Sequence, residues 1–390
     1  MGTDYDYDIV AARKRQRTIN RLKKFAIFLF IALFCVYLYL QRDTWVPKLE
    51  GIGSRYESIT QNDGALAEGN FPLSIYGNAD YQIKAIDDTL FILNDSYLYL
   101  YSLHGDSIDT RQLAYTNAVM KESGSYALLY EHAGNSFRVD RKSRNVYSKL
   151  SSDVIITGTI SPDGYVALVT ESDNYSCAIH VFDENGKNVY TRNCVERINE
   201  IHFQADNGGC VFAEINSVNG EVGTSLKCIR FDKKDVSWET EMTPTMCIAA
   251  SFTDSGSVCL IGDNVCTYYD SKGQVESTYT YNGELIDYAY IDGKAALILD
   301  DEEKRETKLV LFSGTASSPA EVEININSKC VQIYDDTVYL MGLENVTAYN
   351  FSGKAVATVT LDGAYDSFVR QGGYLFLLRY NEINRVNFKE

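Results

Sequence analysis

Proline is scarce in this chain, five in 390 residues, so Gly, Asn and Asp must make most of its turns. Histidine is scarcer still. The four present (His104, His132, His180 and His202) show no HxH, HExxH or Cys/His spacing, which removes the usual zinc frameworks. There is no Gly-x-Ser-x-Gly elbow, no GxGxxG opening a helix and no phosphate loop. The sequence therefore names no catalytic residue, no metal ligand and no cofactor. Helix-period stretches of useful length are missing after residue 50, and the 12% aromatic content, 29 of it tyrosine, suits half-buried strands instead. The expected class is all-β.

Charge is unevenly split. Residues 1–24 hold three acids and seven bases, a balance of +4 against −17 for the whole chain, so residues 41–390 carry −21. So acidic a body repels nucleic acid, whose binding depends on Lys and Arg neutralising phosphates, and it repels an anionic lipid surface too. Between them, Phe25 to Leu40 is uninterrupted apolar and aromatic sequence. Sixteen residues span about 24 Å as a helix, and Leu22, Lys23, Lys24, Tyr37, Tyr39 and Trp45 can make up the remainder of a ~30 Å core. The basic block precedes this segment, so the N-terminus is expected in the cytoplasm and everything after residue 41 outside it. The end of the run, Val36-Tyr37-Leu38-Tyr39-Leu40, lacks small residues for signal cleavage; Phe34 before Cys35 is no lipobox, and Asp6 replaces the Ser or Thr of a myristoylation signal. The reading is a cytoplasmic tail (1–24), an uncleaved transmembrane signal anchor (25–40), a polar linker (41–70) and an ectodomain (71–390).

Two rulers measure that ectodomain. Tight turns between apolar strands fall at Asp87-Asp88, Ser123-Gly124, Asp163-Gly164, Gly208-Gly209, Ser255-Gly256, Asp292-Gly293, Asp335-Asp336 and Gly372-Gly373. Their mean spacing is about 41 residues, the period of a four-stranded propeller blade. The second ruler is an aromatic followed four residues later by Gly: Tyr101…Gly105, Phe182…Gly186, Tyr269…Gly273 and Tyr349…Gly353. Phe231…Asp235 and Phe312-Ser313-Gly314 are imperfect copies. The rulers share a period but not a phase, as two turns of one repeated unit would. Together they predict a β-propeller of about eight four-stranded blades, with seven plus a flanking hairpin as the alternative. Phe71–Tyr76 is positioned to give the last unit its missing fourth strand and so remove the open sheet edge.

One quarter of the chain carries a resemblance. Ser125–Tyr130, Phe137-Arg138-Val139, Asp163–Thr170, Tyr175-Ser176-Cys177 and Val181-Phe182-Asp183 resemble the membrane-anchored, propeller-type ectodomains of a family of unknown function in clostridia and related Gram-positive bacteria. Ser161-Pro162-Asp163-Gly164 is similar to turns of WD40-like and quinoprotein-like propellers. The resemblance implies an envelope location and brings no catalytic residue.

Eight cysteines follow the apolar run, an even number that permits disulfides in an exported domain. If Asn185-Gly186 forms a two-residue turn, Cys177 and Cys194 stand opposite each other on paired strands, while a one-residue bulge at the Gly would break that register. Cys259 and Cys266 flank Gly262-Asp263 in the same manner. Asp183-Glu184-Asn185-Gly186 and Asp300-Asp301-Glu302-Glu303 lack calcium-loop spacing and read as a hairpin turn and a solvated connection. The functional expectation is a non-enzymatic binding or scaffolding protein of the cell envelope. It is held to the membrane by its N-terminal helix and presents the propeller to a protein or glycan partner. A glycan hydrolase or lyase with carboxylates in the central channel is the alternative.

Overall fold

The structure is a computed structural model that describes residues 59–75, 81–94, 96–253 and 255–390. The basic tail, the apolar run at 25–40 and the linker up to residue 58 lie outside the described residues, as does Tyr76. Eight sheets make eight blades, each built on an antiparallel meander from an inner to an outer strand. The inner strands are Gln82–Ile86, Ala118–Ser123, Ile155–Ile160, Arg197–Phe203, Cys247–Phe252, Glu284–Ile291, Cys330–Tyr334 and Ser367–Gln371. Blade 8 is composite: after Ser367–Gln371, Tyr374–Arg379 and Glu382–Asn387, its outer strand is Leu73–Ser74 from the other end of the ectodomain. The ring is therefore closed by the segment expected to close it, and the seven-blade alternative falls away.

Both rulers mark real turns. Each of the eight tight turns joins a blade's first and second strands, and seven contain a residue with positive φ, from Asp87 at 55° to Gly372 at 54°, while at Gly208-Gly209 the preceding Asn207 takes it at 54°. Asp tolerates this left-handed backbone better than most side chains, which lets Asp-Asp stand where Gly would be expected. The aromatic-to-Gly spacing marks the turn between third and fourth strands. Its working part is the residue just after the aromatic. Asp183 Oδ1 accepts the N–H groups of Asn185 (3.0 Å) and Lys187 (2.8 Å), and Asp270 and Asn350 cap their own turns identically. Such Asx turns satisfy backbone donors that the bend leaves unpaired.

The linker ends earlier than residue 70. Thr60–Asn62 pairs in parallel with Ala357–Val359 as a fifth strand on blade 7, and Leu66 bridges Val386. Asn62 fixes this addition, donating to Thr358 O (3.2 Å) and Lys389 O (3.0 Å) while accepting from Lys389 N (2.8 Å). A polar three-residue edge strand held by an amide side chain has no periodicity for a sequence reading to detect.

Apolar clusters lie between neighbouring blades, as in the contact of blades 3 and 4 through Ile179, Val181, Ile198, Ile201 and Phe212. Polar side chains also reach from one inner strand to the next. Gln82 donates to Ala118 O and accepts from Met120 N; Asn199 donates to Cys247 O (2.7 Å), and Asp287 accepts from Val331 N (2.8 Å). Burial raises the Asp287 carboxyl pKa above its usual range. At the closure, Arg385 is 1% exposed; its guanidinium donates to the carbonyls of Glu68 and Leu103 and lies 4.2 Å from the Tyr374 ring centroid. One side chain thus ties blade 8 to the incoming chain and to blade 1.

Candidate functional site: one channel and two faces

Inner strands of a propeller approach the axis, so their polar residues meet across blades. Glu200 and His202 alternate on the inner strand of blade 4 and therefore share a face. Tyr288 and Tyr290 do the same on blade 6 and stack with ring planes 3° apart. The inner strand of blade 5 lies between and presents the small residues Ala249 and Ala250, so His202 Nε2 and Tyr290 Oη meet at 3.0 Å across it. Glu200 Oε1 is 3.7 Å from the same imidazole nitrogen. Burial pushes the His202 pKa down to about 4, assisted by the Lys121 charge, and burial raises that of Glu200. At neutral pH the imidazole is uncharged and serves as a hydrogen-bonding strut between blades 4 and 6. The sequence reading assigned His202 no role and missed this meeting. Its only trace is the polar Glu200-Ile201-His202 alternation in a strand otherwise expected to be apolar.

Paired-carboxylate glycan chemistry needs two carboxyl groups facing one bond. Glu200 faces His202, Tyr290 and Lys121 instead. The other inner-strand acids nearby are engaged: Asp287 with Val331 N, and Glu122 with Lys84 at 3.2 Å.

The two faces of the disc differ more than the channel does from an ordinary core. The turn face carries the two hairpin turns of each blade. It is tied from blade to blade: Lys142 to Asp88 (2.6 Å), Asn207 to Asp163 (2.5 Å), Lys294 to Asp336, and Gln371 to Asp87 O (2.6 Å). Its exposed large apolar side chains among the described residues are Ile291 and, at the starts of outer strands just past these turns, Ile108, Val189 and Val275. The loop face carries the connections between second and third strands and the crossovers between blades. There Leu150, Val195, Met246, Leu343, Tyr175 and Tyr380 stand exposed, Val195 by 73% and Tyr380 by 66%. The longest hairpin, Gly209–Val218 with Glu221–Arg230, adds exposed Val218 and Val222 beside its tip.

The remaining sequence candidates fall as follows. Cys177 and Cys194 are directly opposed, but by an unexpected route. Gly186 N donates to Asp183 O, the glycine bulge shifts the register by one, and a second irregularity at Val189 restores it. Cys259 and Cys266 are not opposed: Cys259 faces Tyr268, and Cys266 faces Ile261. The turn lies one residue later, at Asp263-Asn264, because Gly262 serves close packing; a Cβ there would sit 2.0 Å from Thr245 Oγ1. Asp300, Asp301, Glu302 and Glu303, with Glu284 and Lys304, line a shallow depression of 470 Å³ on blade 6. Among the described residues no group of three or more His, Cys, Asp or Glu is arranged to hold a metal ion.

The profile of a family of unknown function (DUF5711) matches residues 73–388, the propeller almost from end to end. No curated protein matches in sequence. Solved structures do match in shape. BamB of Moraxella catarrhalis superposes with TM-score 0.56 at 11% identity, covering 83% of this chain and all of that one. The computationally designed protein Ika8 (TM-score 0.61, 10% identity) and Saccharomyces cerevisiae Sqt1 (0.61, 8%) each cover 84% of this chain and are themselves covered completely. At such identities the likeness establishes the propeller fold alone.

Proposed function

The chain belongs to this family of unknown function, and we propose that it is a non-enzymatic scaffold of the cell envelope, anchored by residues 25–40 and docking a protein partner on its loop face. The observation that carries the reading is the excess of exposed apolar side chains on the loop face, where Leu150, Tyr175, Val195, Val218, Val222, Met246, Leu343 and Tyr380 stand against Ile108, Val189, Val275 and Ile291 near the turn face. Water-exposed Val, Leu, Met and Tyr gathered on one face of a large acidic domain mark an interaction surface more often than chance scatter does. The opposite face has its polar groups committed to neighbouring blades. The membrane location rests on the apolar run and its basic flank, and the envelope on the resemblance described above. The fold's use as a rigid disc with recognition on its loops supports the binding role by analogy.

The test is cross-linking in cells with the full-length chain as bait, against the double variant Leu343→Glu/Tyr380→Glu, which charges adjacent loops of blades 7 and 8. A stoichiometric partner captured by the first and lost by the second supports the reading. Equal capture by both sinks the assignment of the face. A glycan-active enzyme is the second reading: the buried Glu200 carboxyl, held protonated to higher pH by burial, suits a general acid, although no second carboxylate among the described residues faces it. Glu200→Gln is expected to leave partner capture unchanged, whereas loss of a glycan-cleaving activity in that variant would move the assignment to the channel.

A further inference from the structure

Eight cysteines lie in the described propeller, all as free thiols, and their placement separates one pair from the rest. Cys177 and Cys194 face each other across the third and fourth strands of blade 3. Opposed residues of an antiparallel pair project from the same side of the sheet with Cα atoms about 4.5–5.5 Å apart, inside the range a disulfide spans. Both side chains enter the apolar layer between blades 3 and 4, at 0% and 4% exposure. The Cys177 Sγ donates to Glu196 O at 3.3 Å, and the Cys194 thiol is within hydrogen-bonding reach of Cys177. No other pair meets all of these conditions, although the buried Cys259 and Cys266 thiols also come within hydrogen-bonding reach of each other. Cys259 and Cys266 are diagonal neighbours, about 7–8 Å apart at Cα and beyond the usual span. Cys210 opposes Ile229 and Cys228 opposes Val211, so these two project from opposite sides of their sheet.

We propose that Cys177 and Cys194 are a redox pair that closes into a cross-strand disulfide by exchange with a small-molecule or protein disulfide. The Cys177 thiolate attacks the oxidant's S–S bond; one oxidant sulfur leaves as thiolate, and a mixed disulfide forms. Cys194 then loses its proton and attacks the Cys177 sulfur, releasing the second oxidant sulfur. In sum two protein thiols give up two protons and two electrons, and the oxidant disulfide becomes two thiols. The order of attack follows the local chemistry. A hydrogen bond from the Cys194 thiol lowers the Cys177 pKa to about 7 against the opposing effect of burial, and the same bond raises that of Cys194. The fourth strand, Asn188–Cys194, is paired on one side only, so opening of that edge gives an oxidant access without unfolding the blade.

The bridge would sit directly beneath the loop face. Cys177 follows the loop holding Tyr175, and Cys194 precedes Val195, whose carbonyl accepts a hydrogen bond from Ser176 Oγ. Closing it fixes the spacing of two exposed apolar residues that the open form leaves to one weak strand edge. The geometry of the pair does not depend on the binding role, so the two can fail separately.

The decisive measurement is made on purified full-length protein in detergent, equilibrated with excess glutathione disulfide and then denatured in an alkylating agent. Digestion without reduction and mass spectrometry should return a cross-linked peptide joining Cys177 to Cys194. Cys210, Cys228, Cys247, Cys259, Cys266 and Cys330 should all carry the alkyl group. Alkylation of both Cys177 and Cys194, or their linkage to any other cysteine, overturns the proposal. In Cys194→Ser, Cys177 should accumulate as the mixed disulfide with glutathione; the wild-type result stands alone if that variant fails to fold.

Discussion

The turn face and the loop face are made from the same eight blades, yet they use their polar groups in opposite ways. On the turn face, caps such as Asp183, Asp270 and Asn350 consume local backbone donors, and Lys142, Asn207, Lys294 and Gln371 reach to neighbouring blades. On the loop face the connections vary in length, and apolar side chains remain in water. The difference teaches that in a ring of repeats, geometry is held by one rim and recognition is left to the other.

The largest effect should come from the turn face. Arg385→Met removes the donor that satisfies the part-buried Glu68 O and Leu103 O at the ring closure, where each hydrogen bond lost costs about 1–3 kcal/mol. A loss of about 3 kcal/mol or more is expected in denaturant unfolding, with any partner affinity per folded molecule unchanged. A loss under ~0.5 kcal/mol would mean the ring is not latched there. Next comes Leu343→Glu/Tyr380→Glu, expected to weaken partner binding by about 2 kcal/mol or more while stability moves within ~0.5 kcal/mol. Ile291→Glu on the opposite face is the matched control, and equal losses from the two would erase the distinction between faces. Asn350→Ala deletes a turn cap and should cost about 1 kcal/mol of stability without touching binding.

The smallest effect is a pH dependence. The Asp270 carboxylate accepts the N–H groups of Gln274 and Lys272, and these hold its pKa below the usual value. A carboxyl whose folded pKa is depressed contributes stability above its unfolded pKa of about 3.9 and loses it as pH falls through the folded value. Melting curves of wild type and Asp270→Ala should therefore differ at pH 7 and converge in strong acid. A gap that persists unchanged at low pH would assign the turn's stability to something other than the ionised cap.

Much of this architecture is legible in the residues, and what is not has a physical cause. The eight tight turns could be located because each demands positive φ, which few residues tolerate, and Leu73–Ser74 could be assigned because the last unit lacked a strand. Thr60–Asn62 could not, since its pairing uses backbone groups and the Asn62 amide rather than any apolar pattern. The meeting of His202 with Tyr290 depends on ring curvature and on small residues in the strand between them. Gly262 shows the reverse error: a glycine read as a turn residue because close packing against Thr245 leaves the same letter in the sequence.

The composite blade sets a schedule on the molecule's making. Leu73–Ser74 waits for a partner strand, Glu382–Asn387, that is synthesised about 300 residues later. Until that strand has emerged, the outer strand at the start of the ring has nothing to zip onto, and the nascent domain is an open arc with two raw edges. Completion is thus a proofreading step performed by the fold itself. A chain that stops before Glu382 loses the closing strand, the Arg385 latch and the ring's closure together, and announces itself as unfinished.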